Sequence, residues 1–191
     1  MRLVLASSSP YRRELLARLR LDFTTHSPDI DESALPGESA IQLSLRLASA
    51  KATAVANRFG DALIIGSDQV ALLEGKILGK PGNYAAAVEQ LRAMSGRSVD
   101  FHTALCLLNA CTGRQQTLVA TVTVTMRQLG SDEIERYLIA EPAFDCAGSA
   151  RIEALGIALV EKISGDDPNA LIGLPLIDLC RMLRAEGVRL P

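Results

Sequence analysis

The sequence predicts an α/β fold, a central sheet flanked by helices, and three patterns carry that prediction. Ala62-Leu63-Ile64-Ile65 is a short apolar run, and its β-branched residues suit a pleated, buried surface. Thr121-Val122-Thr123-Val124-Thr125 alternates strictly, as a half-buried strand does. Around these runs, Leu15, Leu16 and Leu19, and again Ala87, Val88, Leu91 and Met94, recur at helical spacing.

Composition narrows the function classes. A chain of 191 residues can bury one sizeable core, or two compact lobes sharing one. With 48% hydrophobic and 22% charged residues it has an ordinary soluble profile and no disorder signature. A net charge of −2 gives no electrostatic reason to bind long nucleic acid, although a local basic cluster can still meet a small anion. Cys106, Cys111, Cys146 and Cys180 are scattered, with no CxxC pair and no histidine at metal-ligand spacing. They read as free, mostly buried thiols of a cytosolic protein. No long apolar leader and no apolar window of ~20 residues is present, so a cytoplasmic protein without a membrane span is expected.

Taken in order, Leu3-Val4-Leu5-Ala6 is the first strand and ends in Ser7-Ser8-Ser9-Pro10-Tyr11-Arg12-Arg13. Ser9 can cap a helix and Pro10 suits its first position, which makes a strand-to-helix junction favourable to anions. Arg12 and Arg13 oppose the helix dipole unless an anion compensates them; a solvated basic turn is the alternative. Asp29-Ile30-Asp31-Glu32 is either a solvated loop or a carboxylate set for magnesium or manganese. A long helix is expected from Glu38 to about Phe59. Its Lys51, among alanines, either reaches out to solvent or projects into a phosphate site.

Gly66 and Ser67 interrupt the next strand, as at a point where backbone meets a ligand closely. That leaves Asp68 at a strand's carboxyl end, where α/β proteins place ligands; a turn aspartate in a hairpin is the alternative. Glu74-Gly75 reads as a hairpin turn, and Gly79-Lys80-Pro81-Gly82 as an exposed segment lacking P-loop spacing. Asn83 should cap a helix through about Met94. Strands are expected over Phe101–Leu108 and Gln116–Met126, then a short helix capped by Ser131 through about Ile139. A strand over Ile157–Ile163, a loop over Gly165–Asn169 and a last helix from Pro175 to about Glu186 complete one unit without repeat or linker.

In this order the motifs resemble those of the Maf family of nucleotide pyrophosphatases over nearly the whole length. The resemblance rests on Ala6 to Arg13, Pro28-Asp29-Ile30-Asp31-Glu32, Arg46-Leu47-Ala48 with Ala50-Lys51-Ala52, and Ile64 to Val70. Gly79-Lys80-Pro81, Ser95-Gly96 and Gly173-Leu174-Pro175-Leu176 complete it. It implies a Maf/inosine-triphosphatase-like fold in a single domain, 1–191, with a twisted mixed sheet and a cleft between two lobes. Ser67-Asp68-Gln69 and Tyr11 resemble the branch acting on 7-methyl-GTP, not the one acting on thymidine and uridine triphosphates. Ala154 and Ala104 depart from it, standing where glycine is commoner in the family.

The chemistry implied is hydrolysis of the α–β anhydride of 7-methyl-GTP to 7-methyl-GMP and pyrophosphate, removing a modified nucleotide from the pool. It needs neutralised phosphates, a divalent ion and a positioned water. Ser7, Ser8, Ser9, Arg12, Arg13, Lys51 and Lys80 are the expected phosphate contacts, and Glu32 and Asp68 the ligands of Mg2+ or Mn2+. The resemblance makes Asp68 the proton acceptor. An ordinary aspartate pKa near ~3.9 leaves metal holding as its alternative role. Methylation at N7 gives guanine a delocalised positive charge, so Tyr11 is expected to offer a cation–π face. Glu153 is expected to accept from the base's edge donors, and Gln69 to complete the selection through its amide. The alternatives are the same chemistry on dTTP, UTP or other modified nucleotides, or a non-catalytic regulator of cell division or septum formation. A homodimer is implied by the resemblance only.

Overall fold

Leu3, Val4 and Leu5 run parallel to Leu63, Ile64 and Ile65, and this pairing forms the spine of the computed structural model, which describes residues 1–191. The elements in order are β1 (Arg2–Leu5), α1 (Pro10–Ala17), β2 (Thr24–Thr25), α2 (Ala40–Ala56), β3 (Ala62–Leu73), β4 (Lys76–Leu78) and α3 (Tyr84–Met94). There follow β5 (Ser98–Asn109), β6 (Gln115–Met126), α4 (Ser131–Ala140), β7 (Val160–Ser164), α5 (Pro168–Ile172) and α6 (Leu176–Ala185). The sheet has seven strands in the order β2-β1-β3-β5-β6-β7, with β4 beside β3. It is mixed: β2 and β3 run parallel to β1, while β4 is antiparallel to β3 and β7 to β6. The expected α/β class with a mixed sheet and flanking helices is what forms.

Contacts divide the chain into two compact units, and the first comprises Met1–Gln69, Thr103–Ala120 and Asp167–Pro191. Successive side chains of a strand point to opposite faces. Leu63 and Ile65 accordingly join Leu15, Leu16, Leu176, Leu179 and Leu183 in one core. Ile64 joins Val4, Ala48, Ala52 and Val55 in the other, against α2. The second unit comprises Val70–His102 and Thr121–Asp166, where α3 packs on α4 and Leu91, Met94, Ile134, Tyr137 and Leu138 are buried.

Local signals placed several elements well. Ser9 accepts from the Arg12 N–H with Pro10 in the first turn, and Asn83 accepts from the Ala86 N–H. Glu74 and Gly75 take φ of 47° and 82°, as a two-residue hairpin turn requires. Elsewhere the structure corrects the expectation. The strand does not stop at Gly66: β3 runs unbroken from Ala62 to Leu73, so Asp68 lies mid-strand. Gly66 is small because α2 approaches it. A Cβ there would overlap the Ala48 carbonyl oxygen and lie 2.9 Å from the Ala52 nitrogen.

The long helix begins at Ala40, not Glu38, because Ser39 and Gln42 form a capping box. The cap of α4 is Gly130, with Ser131 already helical. Residues Leu155–Leu159 make a 3-10 turn before β7, where a strand from Ile157 was expected. Asp167 accepts from the Asn169 N–H and so opens the short helix α5 inside the expected loop. All four cysteines are free, but only Cys106 is buried. No helix is long and apolar enough to cross a membrane.

Candidate active site

Gly66 lets α2 lie against β3, and two residues further along the same face of the strand comes Asp68. Lys51, on α2 between Ala48 and Ala52, reaches it across this short gap. Its Nζ lies 2.7 Å from Asp68 Oδ1 and 2.7 Å from Glu32 Oε1. Lys51 is 6% exposed and Asp68 8%, so the snorkelling reading is set aside and Asp68 is no surface turn residue. Glu32 comes from the acidic loop and is itself exposed. One ammonium is therefore shared by two carboxylates drawn from separate elements.

That sharing tests the implied metal. No three His, Cys, Asp or Glu side chains converge anywhere in the chain, so an all-protein cage is absent. Magnesium ordinarily binds through one or two carboxylates, with substrate phosphates and water completing its octahedron. Glu32 and Asp68 already hold one cationic group between them, and they supply that kind of donor set. The residues fit. Asp29 and Asp31 do not join them: Asp31 accepts from the Ser33 N–H. Bonds from Ser33 hold the Asp31 carboxyl below its ordinary range, with the charge of Arg46 helping.

The loop that carries Glu32 is tied down by Arg46 and Glu38, to which the sequence assigned no role at the site. Arg46 of α2 donates Nε to Glu38 Oε1 at 2.7 Å and Nη2 to Glu38 Oε2 and the Ser33 carbonyl, each at 2.8 Å. Such a two-point guanidinium–carboxylate pair fixes direction as well as distance. These bonds, with one from the Leu35 N–H, hold the Glu38 carboxyl down at about 2. A depressed value contributes stability above the ordinary carboxylate range, and that stability is lost as pH falls through about 2. A Glu/Arg pair flanking a capping box was the signal that could have found this clamp. Glu38→Gln is expected to loosen the loop that holds Glu32 and to raise amide hydrogen exchange over residues 32–35 by roughly three- to tenfold. Hydrogen exchange of the variant beside the wild type checks it.

The serine junction forms as expected, with Ser7 buried, its Oγ accepting from the Ser9 N–H at 3.1 Å, and Ser8 exposed. In the first turn of α1, Tyr11 and Arg12 are partly buried and Arg13 is exposed. Arg12 Nε donates to the Gly173 carbonyl at 2.8 Å. Burial lowers its pKa, while the charges of Asp68 and Glu32 act the other way, which places its guanidinium in the field of the carboxylate pair. The structure thus gathers Ser7, Ser9, Arg12, Glu32, Lys51 and Asp68 within the first unit.

Gln69 is adjacent to Asp68 in sequence, but the pleat turns it to the opposite face of the strand. Its amide nitrogen bonds Thr103 Oγ1 at 2.8 Å and the carbonyls of Ala170 and Leu171 at 3.0 Å each. The NH2 end of the amide expected to complete base selection is thus engaged within the protein. Ser67, on that same face, lies 2.8 Å from the Ala104 carbonyl and 3.0 Å from that of Gly173.

Lys80 and Glu153 belong to the second unit. Lys80 is exposed in a segment fixed by the Gln90 amide donating to the Gly79 carbonyl and by Gly82 N–H donating to Phe144. Glu153 is exposed in a turn closed by the Ala154 and Gly156 N–H groups, both donating to the Arg151 carbonyl. Loss of hydration among its neighbours pushes the Glu153 carboxyl up; Glu141 and Asp145 add to this and Arg151 opposes it. Ala154, which departs from the family's glycine, has φ −131° and ψ −139°.

Known proteins resemble this chain over nearly its whole length. A protein from Albidiferax ferrireducens named 7-methyl-GTP pyrophosphatase is 56% identical over 188 residues, 98% of this chain and 94% of the relative. One of the same name from Aromatoleum aromaticum is 56% identical over 190 residues, 100% and 98% of the two chains. Another from Methylobacillus flagellatus is 58% identical over 186 residues, 97% of each. The family described as Maf-like protein matches residues 2–186, and with nearly the whole chain so covered, this protein belongs to the Maf family.

Proposed function

We propose that the protein is a nucleoside triphosphate pyrophosphatase that hydrolyses 7-methyl-GTP between its α and β phosphates, giving 7-methyl-GMP and pyrophosphate. The observation that carries this reading is Lys51 held between Asp68 and Glu32, in a chain whose near full-length relatives bear one substrate name. Arg12 and Lys51 neutralise phosphate oxygens, and the Ser7–Ser9 junction offers them hydroxyl donors at the start of α1. Arg13 and Lys80, both exposed, are the remaining candidate cations for the phosphates. Asp68 takes the proton of the water that attacks the α phosphorus; the pyrophosphate leaves as the new P–O bond forms. Glu32 and Asp68 would hold a magnesium or manganese ion, which when bound supplies positive charge at the phosphates and lowers the pKa of water.

Tyr11 beside Arg12 is the candidate ring for the methylated, cationic base, a contact worth ~0.5–2 kcal/mol. Glu153 is the candidate acceptor for its edge donors; what supports that role is the family resemblance. The same resemblance supports a homodimer, and the scattered free thiols support a cytoplasmic setting.

The deciding experiment is a panel of 7-methyl-GTP, GTP, dTTP and UTP with magnesium or manganese, scored for monophosphate and pyrophosphate. The expected result is highest kcat/KM on 7-methyl-GTP, and none in excess chelator. Orthophosphate release, or a preference for dTTP or UTP, overturns the assignment.

A further inference from the structure

The carboxyl end of α5 collects side chains from three elements of the first unit, α1, β3 and β5. The Ala170 carbonyl accepts from the Gly173 N–H at 3.0 Å, as at a helix end, and strand and helix side chains add further bonds there. Ala170 accepts from Thr103 Oγ1 at 2.8 Å and from Gln69 Nε2 at 3.0 Å, and Leu171 from Gln69 Nε2 at 3.0 Å. Arg12 Nε binds the Gly173 carbonyl at 2.8 Å. Gly173 has φ +123°, which only glycine adopts readily, so this carbonyl is aimed by the backbone itself.

This setting decides which way round the Gln69 amide stands. A carbonyl can only accept, so the end of the amide facing Ala170 and Leu171 must be the NH2. Thr103 is fully buried, and its single hydroxyl proton goes to Ala170; its oxygen is thereby left to accept from Gln69 at 2.8 Å. A reversed amide would place its oxygen against two carbonyl oxygens, those of Ala170 and Leu171, at 3.0 Å each. The orientation is therefore fixed. Gln69 Oε1, in turn, has no bond within the chain and is not shut off from solvent.

We propose that Thr103 is a positioning residue for base selection: with the end of α5, it turns Gln69 so that a nucleobase meets a fixed acceptor oxygen instead of a donor. This deepens the pyrophosphatase reading and rests on it. Guanine and 7-methylguanine offer two adjacent donors, N1–H and the exocyclic amine. Uracil and thymine offer one N–H between two carbonyl oxygens, and a fixed oxygen repels both of those. A glutamine free to rotate its amide would discriminate less, because it could present either end. Held in place, it favours the guanine edge.

The test uses Thr103→Val, which keeps the shape and removes the hydroxyl, and Thr103→Ser, which keeps the hydroxyl. The readouts are KM and kcat for 7-methyl-GTP and UTP, and calorimetric Kd for 7-methyl-GMP and UMP. Thr103→Val is expected to reduce the 7-methyl-GTP/UTP ratio of kcat/KM by roughly tenfold, the scale of one hydrogen bond, mainly through KM. Thr103→Ser restores most of it. Gln69→Ala loses a similar factor, and the Thr103→Val/Gln69→Ala double variant loses little more, as residues acting in series do. A merely structural threonine would lower the thermal midpoint and leave the ratio alone.

An unchanged ratio in Thr103→Val, or additive losses in the double variant, overturns the proposal. Thr103→Ala gives the same reading if valine is not accommodated. Should the wild type release pyrophosphate from no nucleotide, the underlying activity is what fails, and the monophosphate Kd ratio still judges Thr103.

Discussion

Asp68→Asn is expected to lower kcat/KM for 7-methyl-GTP by ~10²–10⁴-fold, the scale of a lost acid–base group. The substitution keeps the size of the side chain and an oxygen for Lys51, but removes the charge that accepts a proton and helps hold the ion. Asp68 is buried and paired, so the change also touches the fold. Lys51 retains Glu32 as a partner, which keeps the cost at about 1–3 kcal/mol, that of weakening a hydrogen bond to a charged group. Pyrophosphate release and urea unfolding, measured on the same preparation, separate the two effects. Turnover within a few fold of the wild type would remove Asp68 from the chemistry.

Gly66→Ala is expected to have the largest effect on stability of any single methyl added to the first unit. The new Cβ overlaps the Ala48 carbonyl oxygen and approaches the Ala52 nitrogen. Both are helix backbone and cannot rotate away, so α2 must move off the strand. Overpacking of this kind costs about 3 kcal/mol, the upper end of the usual range. The displacement carries Lys51 away from Asp68, so kcat/KM is expected to fall at least about tenfold along with the urea midpoint. A full-activity Gly66→Ala protein would mean that the helix and the ion pair can move independently.

Much of this was legible because it is local. Ser9-Pro10 and Asn83 announce helix starts through bonds to residues three positions on, and Glu74-Gly75 announces its own turn. Lys51, Glu32 and Asp68 could be named as chemistry-bearing groups from their motifs, but not as a single bridge. That bridge depends on how closely α2 packs. Gly66 was misread for a related reason: a glycine marks close approach by something, without saying whether ligand or helix arrives. Gln69 shows the limit most clearly. Its partners Ala170 and Leu171 lie 101 and 102 positions away, and nothing local in Ser67-Asp68-Gln69 distinguishes a donor facing a base from one facing a helix end. The pleat alone put Asp68 and Gln69 on different faces, and that was readable once the strand was known to continue.

The first unit is stitched from Met1–Gln69, Thr103–Ala120 and Asp167–Pro191, and this order has a consequence for the chain as it is made. Both ends of the Lys51–Asp68 ion pair leave the ribosome before the other two stretches of the unit. The carbonyls that hold Arg12, Gln69 and Thr103 come with the last stretch, several seconds later at roughly 5–20 residues per second. During that interval Leu15, Leu16, Leu63 and Ile65 have no α6 to cover them, and the polar side chains of β3 have no helix end to meet. The growing chain therefore carries an uncovered apolar face until Leu176, Leu179 and Leu183 have been made to close over it.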